Sequence, residues 1–148
     1  MGIDQEPHLE AMREMARKFN SVFGQTFPEP KRFATSGGYI PSLTGFGKMS
    51  KSVEGSFINL TDDLETIKNK LAKAPTDSGK GKMVLEKNGV AALLTFVELF
   101  EGKEKRLEYE RDYQGEGLRF QSLKEELANA IFKELQPIQE KRKYFEKH

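Results

Sequence analysis

Apolar residues recur at the spacing of an α-helix near the start of the chain. Over residues 5–19 they fall three or four positions apart, at Leu9, Met12, Ala16 and Phe19. Asp4 precedes this stretch and is a suitable N-cap, and Pro7 falls in the first turn, where its missing N–H costs little. The pattern therefore predicts a helix over residues 5–19.

A second set of helical patterns begins after residue 60. The first helical pattern of this set begins with a possible capping box, Asp62 and Glu65, and carries one apolar face. The helix that it predicts should end at Pro75. The apolar run over residues 90–100 predicts a buried helix that stops at Gly102, and the charged run after it predicts a helix that ends before Gly115.

The last helical pattern carries apolar residues at Phe120, Leu123, Leu127, Ala130 and Ile131. Ser122 and Glu125 form a second possible capping box near its start. Pro137 should kink or end this helix because it cannot donate a hydrogen bond to residue 133. We expect the basic tail that follows to be frayed.

The residues between the first helix and residue 61 show no helical period. A short strand is possible near Tyr39–Leu43, and SFINL over residues 56–60 is either a strand or a lead-in to a helix. The stretch GFGKMSKSVEGS, residues 45–56, should be a mobile loop. The patterns thus divide the chain into a loop-rich part, 1–60, and a helical part, 61–148.

Composition narrows the class of protein. The 148 residues include 36% hydrophobic residues and 11 Phe, enough for a core, and no apolar run is long enough for a membrane span. The polar N-terminus is not a secretory signal, and the absence of cysteine fits a reducing cytoplasm. With 24 basic and 23 acidic residues, the chain is less basic than expected for binding nucleic acid through bulk charge, so such a contact must be local or rely on parts not present in this sequence.

The loop over residues 45–56 is the best candidate for chemistry. Lys48 and Lys51 are flexible point charges that suit a polyphosphate, neighbouring serines add donors, and the flanking glycines allow closure. The spacing is not that of a P-loop. From composition alone, a solvated surface loop is the alternative, and it is the more common case.

Other catalytic arrangements find little support. His8 and His148 are the only histidines, too few for a metal site or a Ser–His–Asp triad, and His8 reads as a surface or half-buried residue. Asp62 and Asp63 fit the start of a helix better than acid–base catalysis. Four aromatic residues at helical spacing are predicted core residues: Phe96, Phe100, Tyr109 and Phe120.

Four segments resemble the tryptophanyl-tRNA synthetases, and the resemblance they indicate extends over essentially the whole chain. KMSKS, residues 48–52, is identical to the second signature of class I aminoacyl-tRNA synthetases. GIDQEPHLEAMREMARKFN, residues 2–20, resembles a GxDQxxHxExxRxxAxxFN segment of the family. The stretches INLTDDLETIKNKLAKAPTDS and ELQPIQEKRKYF resemble the entry into its helical domain and a later helix.

The resemblance implies an activity and a set of site residues. The family uses ATP, with Mg²⁺, to activate L-tryptophan to tryptophanyl-adenylate, transfers it to tRNA(Trp), and works as a homodimer. By motif, Gly2, Ile3 and Asp4 would face the ribose and adenine of ATP, Ile40 would flank the adenine, and Gln5 would lie near the amino group of tryptophan. The segment over the triphosphate would consist of Lys48, Met49, Ser50, Lys51 and Ser52. Lys48 and Lys51 would be its catalytic residues.

The fold implied is mainly α: the C-terminal part of a Rossmann-like catalytic domain (1–60), then an α-helical, anticodon-binding-type bundle (61–148). The family's HxGH-type signature is missing, and Val53-Glu54-Gly55 replaces its usual acidic continuation after KMSKS. We therefore expect a fragment of a cytoplasmic ligase that is inactive alone. The alternative is a non-catalytic module that binds tRNA or a protein partner.

Overall fold

The computed structural model describes residues 2–33, 37–84 and 88–147, which leaves His148 outside the described residues. The chain divides into two compact units, Met1–Tyr39 and Ile40–His148. The described residues contain no β-strand, and the chain is mainly α, as predicted. A short 3-10 helix, Ile3–Gln5, precedes five α-helices: α1 (Glu6–Phe23), α2 (Leu64–Ala72), α3 (Gly89–Glu101), α4 (Lys103–Gln114) and α5 (Phe120–Lys147).

The N-terminal unit consists of α1 and a segment that folds back along it. Asp4 is part of the 3-10 helix and does not cap α1, whose preceding residue is Gln5. The helix runs four residues further than predicted, to Phe23, and Gly24 is its C-cap. Beyond this end, the Asn20 side-chain oxygen accepts from Thr26 N and Phe27 N at 2.9 Å, which turns the chain back.

The C-terminal unit is built around α3 and α5. Helix α3 packs against α4 and α5, and α2 packs against α5. The apolar spacing of these helices explains this arrangement, because each lines up one face toward the same core. The most fully buried large side chains come from α2, α3 and α5: Ile67, Leu71, Val90, Leu93, Leu94, Val97, Leu123, Leu127 and Ile131. Phe96 and Tyr109 are also buried, and Phe100 and Phe120 pack on this core, as predicted.

Two predicted capping boxes are wrong. Asp63, not Asp62, is the N-cap of α2, and its carboxylate accepts from Thr66 N at 2.8 Å. Either aspartate suits a cap by residue type, but only Asp63 lies one residue before the first helical turn. Ser122 lies inside α5, which begins at Phe120, so it cannot cap that helix.

Other predicted boundaries change as well. Helix α5 continues through Pro137 to Lys147, so the proline does not end it and the basic tail is helical. The possible strand near Tyr39–Leu43 is reduced to one antiparallel bridge between Pro41 and Lys48. Residues 56–60 lead into α2 without forming a strand.

The compact units divide at 39/40, whereas the predicted domain boundary lies at 60/61. The difference arises because residues 40–58 pack with the helical core through the buried Leu43 and the partly buried Ile40, Met49 and Ile58. The assignment of 1–60 and 61–148 to two family domains stays a prediction. None of the helices that the structure describes is long and apolar enough to cross a membrane.

Candidate functional site

The loop that carries KMSKS has a folded base. Met49 N donates to Ile40 O at 2.9 Å, and Ser42 N donates to Gly47 O at 2.9 Å, so the chain before the loop pairs with its first half. Because these bonds satisfy backbone groups that would otherwise need water, the loop has a defined path, although no helical or strand pattern predicts one.

The second half of the loop is closed by serine hydroxyls. Ser56 is 1% exposed, and its Oγ donates to Ser50 O at 2.5 Å and accepts from Ser50 N at 3.2 Å. The hydroxyls of Ser50 and Ser52 are 2.8 Å apart, and Ser56 N donates to Val53 O at 3.2 Å. Residues 50–56 therefore form a compact turn held by serine hydroxyls, and of these serines only Ser56 was not singled out from the sequence.

The loop is attached to the core of the C-terminal unit at Leu43 and Gly45. Leu43 is 2% exposed, and its N–H donates to Ser56 O at 3.0 Å. Gly45 has φ +83°, and a Cβ there would lie 2.8 Å from Gly89 N at the start of α3. Only glycine suits both this backbone conformation and this close approach.

The two lysines are on the surface of the loop. Lys48 forms the antiparallel bridge with Pro41, and Lys51 lies at the turn after Ser50; both residues are exposed. Two ammonium groups carried on one hydrogen-bonded loop can bind a polyphosphate and stabilise negative charge that develops on it during transfer. Ser50 and Ser52 place two hydroxyl groups beside them.

The segment that follows the loop is tied to α2 and α5. The buried Asp62 carboxylate pairs with Lys70 and accepts from Asn59 N at 2.8 Å. Gln139 Nε2 donates to both Leu60 O and Asp62 O at 2.9 Å. Burial alone would raise the pKa of Asp62, but the hydrogen bonds from Lys70 and Asn59 outweigh it and hold that pKa below its usual value.

The predicted residues of the N-terminal unit lie on and beside its 3-10 helix. Ile3 N donates to Gly38 O at 3.1 Å, which fixes the start of this helix. A Cβ on Gly2 would lie 2.4 Å from Asp4 Oδ1, so a larger residue would displace that carboxylate. The Gln5 side-chain oxygen lies 3.1 Å from His8 Nδ1, on the exposed start of α1.

The candidate residues thus fall into two groups. Gly2, Ile3, Asp4 and Gln5 belong to the N-terminal unit, and Ile40 and Lys48–Ser52 belong to the C-terminal unit. Their grouping around one nucleotide stays a prediction. Within residues 2–33, 37–84 and 88–147, no three His, Asp or Glu side chains are grouped so that they could hold a metal ion.

Comparison with known proteins gives one family. Residues 1–136 match the model of the tRNA synthetases class I (W and Y). The tryptophan–tRNA ligase of Clostridium acetobutylicum is 38% identical over 146 residues, which is 95% of this chain and 43% of that protein. The corresponding ligase of Caldanaerobacter subterraneus subsp. tengcongensis is 41% identical over 147 residues, 94% of this chain and 43% of that protein.

Solved structures agree with this result. The chain is similar to the crystal structure of tryptophanyl-tRNA synthetase from Mycoplasma pneumoniae, with a TM-score of 0.75 and 26% identity. The match covers 97% of this chain and 45% of that one. The chain therefore spans less than half the length of the proteins it matches.

Proposed function

Because the chain belongs to the class I tRNA synthetases of the tryptophan and tyrosine type, we propose that it is part of a tryptophan–tRNA ligase. The full-length protein would activate L-tryptophan with ATP to tryptophanyl-adenylate and transfer the tryptophanyl group to tRNA(Trp) in the cytoplasm. The similar ligases named above act on tryptophan, which favours this amino acid over tyrosine.

The observation that carries the proposal is the KMSKS loop. In the first step, a carboxylate oxygen of tryptophan attacks the α-phosphorus of ATP, the bond to the bridging oxygen breaks, and pyrophosphate leaves. The charge on the leaving pyrophosphate increases as this bond breaks, and Lys48 and Lys51 would stabilise it. Met49, Ser50 and Ser52 would complete the segment over the triphosphate, and Mg²⁺ would enter with ATP.

The remaining site residues are proposed from the matching motif. Gly2, Ile3 and Asp4 would contact the ribose and adenine side of ATP, and Gln5 would lie near the amino group of tryptophan. Ile40 would flank the adenine; its carbonyl accepts from Met49 N, which supports a link between base and phosphate contacts. The full-length protein is also proposed to be a homodimer.

The test is tryptophan-dependent exchange of pyrophosphate into ATP by the full-length protein. We expect exchange with tryptophan and not with tyrosine. Lys48→Ala and Lys51→Ala should each lower the exchange rate by about 10²–10³-fold, the usual loss when one charge-stabilising donor is removed. The KM for tryptophan should change little, because neither lysine is proposed to touch the amino acid.

Lys133→Ala is the matched control, since Lys133 is an exposed lysine on α5 outside the loop. Equal rates for the loop variants and this control would contradict the phosphate role of the loop. The isolated 148-residue chain is expected to be inactive, because its sequence lacks an HxGH-type pair of histidines. Binding of tRNA(Trp) by a full-length protein without exchange activity would instead support a non-catalytic module.

A further inference from the structure

Ser56 stands out among the polar side chains of the C-terminal unit because it is 1% exposed yet lies next to the most exposed part of the loop. A buried hydroxyl is unfavourable unless its hydrogen bonds are made. Both bonds of the Ser56 hydroxyl go to one residue: it donates to Ser50 O at 2.5 Å and accepts from Ser50 N at 3.2 Å.

Ser50 is the central residue of KMSKS. Its N–H belongs to the peptide group that joins it to Met49, and its carbonyl belongs to the peptide group that joins it to Lys51. One hydroxyl therefore holds the two successive peptide planes of the loop, and a peptide plane is rigid. Since Lys48 and Lys51 lie two residues before and one residue after Ser50, the directions of their side chains depend on these planes.

Ser56 is itself held by the core. Its carbonyl accepts from Leu43 N at 3.0 Å, and Leu43 is 2% exposed in the core of the C-terminal unit. A continuous path of contacts thus runs from the core through Leu43 and Ser56 to Ser50. The two lysines are carried at the end of this path.

Ser42 provides a natural comparison. It is 2% exposed, and its Oγ lies 2.7 Å from Thr44 Oγ1 and accepts from Thr44 N at 3.1 Å. These bonds stay within residues 42–44 and do not reach the lysine segment. The buried serines before the loop and at its end therefore differ in what their hydroxyls hold.

We infer that Ser56 is a positioning residue for the ATP-dependent step: through Ser50 it holds the backbone that presents Lys48 and Lys51 to the phosphates of ATP. This inference deepens the proposed function and rests on it. Because a displacement of about 1 Å in a catalytic group can reduce a rate about 10²-fold, a hydroxyl that does not touch ATP can still control the rate.

Ser56→Ala tests this role, with Ser42→Ala as the control that removes an equally buried hydroxyl. Hydrogen exchange of backbone amides in the 148-residue chain is the first measurement. Ser56→Ala should increase the exchange rate of the Ser50 N–H by about tenfold, because that amide loses one hydrogen bond. Ser42→Ala should increase the exchange rate of the Thr44 N–H in the same way and leave that of the Ser50 N–H unchanged. Thermal unfolding of both variants checks that each is folded.

Pyrophosphate exchange by the full-length protein is the second measurement. Ser56→Ala should lower kcat by about 10²-fold with an unchanged KM for tryptophan, whereas Ser42→Ala should change kcat by less than about threefold. Equal effects of the two substitutions, or normal kcat in Ser56→Ala, would overturn the inference.

The two proposals can fail separately. Absence of tryptophan-dependent exchange in the unaltered full-length protein would overturn the proposed function and the kinetic role of Ser56 with it. If the Ser50 N–H exchanges at the same rate in Ser56→Ala as in the unaltered protein, the Ser56 hydroxyl does not hold the loop backbone, whatever the activity of the protein.

Discussion

Gly89→Ala is expected to destabilise the C-terminal unit, although alanine is the better helix former. Gly89 is the first residue of α3, and a Cβ there would lie 1.9 Å from Pro75 O and 2.7 Å from Pro75 C. Such contacts are not found below 3.0 Å, so the start of α3 would have to move about 1.1 Å away from Pro75. Gly45 also lies close to the start of α3, because a Cβ on Gly45 would be 2.8 Å from Gly89 N, so the start of α3 cannot move toward Gly45 to relieve the contact.

The sign of the effect is decided by two opposing magnitudes. Replacing glycine by alanine inside a helix stabilises it by at most about 1 kcal/mol, and less at the first position. Forcing one extra carbon into a closely packed site costs about 1–3 kcal/mol, and the upper end applies here because the obstacle is backbone. We therefore expect a net loss of about 2 kcal/mol in the free energy of unfolding, or about 4–8 °C in Tm.

Urea unfolding of the 148-residue chain, followed by circular dichroism at 222 nm, measures this loss. Gly102→Ala is the control: Gly102 has φ +95°, and apart from its chain neighbours no atom of the described residues lies within 4 Å of its Cβ position, so that variant reports backbone strain without a clash. It should lose about 1 kcal/mol. A Gly89→Ala chain as stable as the unaltered protein, or more stable, would show that helix propensity governs this site and would refute the reasoning.

Two further predictions concern charge. Asp62→Asn should lower the free energy of unfolding by about 1–3 kcal/mol at pH 7, because it removes the partner of the half-buried Lys70. Since the pKa of Asp62 lies below its usual value, the stabilisation by this carboxylate is present above pH 3.8 and is lost as the pH falls. Urea titrations of Asp62→Asn and of the unaltered protein should therefore converge in acid. Burial, with a contribution from Glu126, raises the pKa of Glu101, whose Oε1 has no hydrogen-bond partner in the described part of the chain. The stability that the Glu101 carboxyl contributes is therefore full below pH 4.5 and lost as the pH rises. Glu101→Gln should raise the free energy of unfolding by up to about 1 kcal/mol at pH 7, after allowance for solvent screening, and should not change it at pH 4. An equal effect at both pH values would contradict this prediction.

The helices could be predicted from the sequence because their signals are local. Apolar spacing and the stops at Gly102 and Gly115 located α3 and α4 almost to the residue. The errors occurred where the choice depends on tertiary contacts. Asp62 and Asp63 are equally good caps by type, and the pairing of the Asp62 carboxylate with Lys70 and Asn59 leaves Asp63 for the helix.

The candidate site was predictable in part for the same reason. KMSKS is a contiguous motif, so its lysines could be identified from the sequence, and their assignment to ATP stays a prediction. Ser56, in contrast, lies in a stretch with no helical or strand period, and its carbonyl accepts from Leu43 N, thirteen positions earlier. Gln139 reaches Leu60 from 79 positions away. No local pattern indicates such contacts.

The contacts around the loop also suggest how the helical core and the phosphate segment are related. Residues 40–62 are fixed at four points within the C-terminal unit: the buried Leu43, Gly45 against Gly89, Ser56 on Leu43, and Asp62 with Lys70. Between Gly45 and Ser56, the loop residues Phe46–Lys48 and Lys51–Gly55 are exposed. Movement of the lysines over a nucleotide would therefore be a local movement about a fixed base, which limits the entropy lost on ATP binding. By this reasoning, substitutions at the fixed points should impair the ATP-dependent step even where they leave both lysines in place.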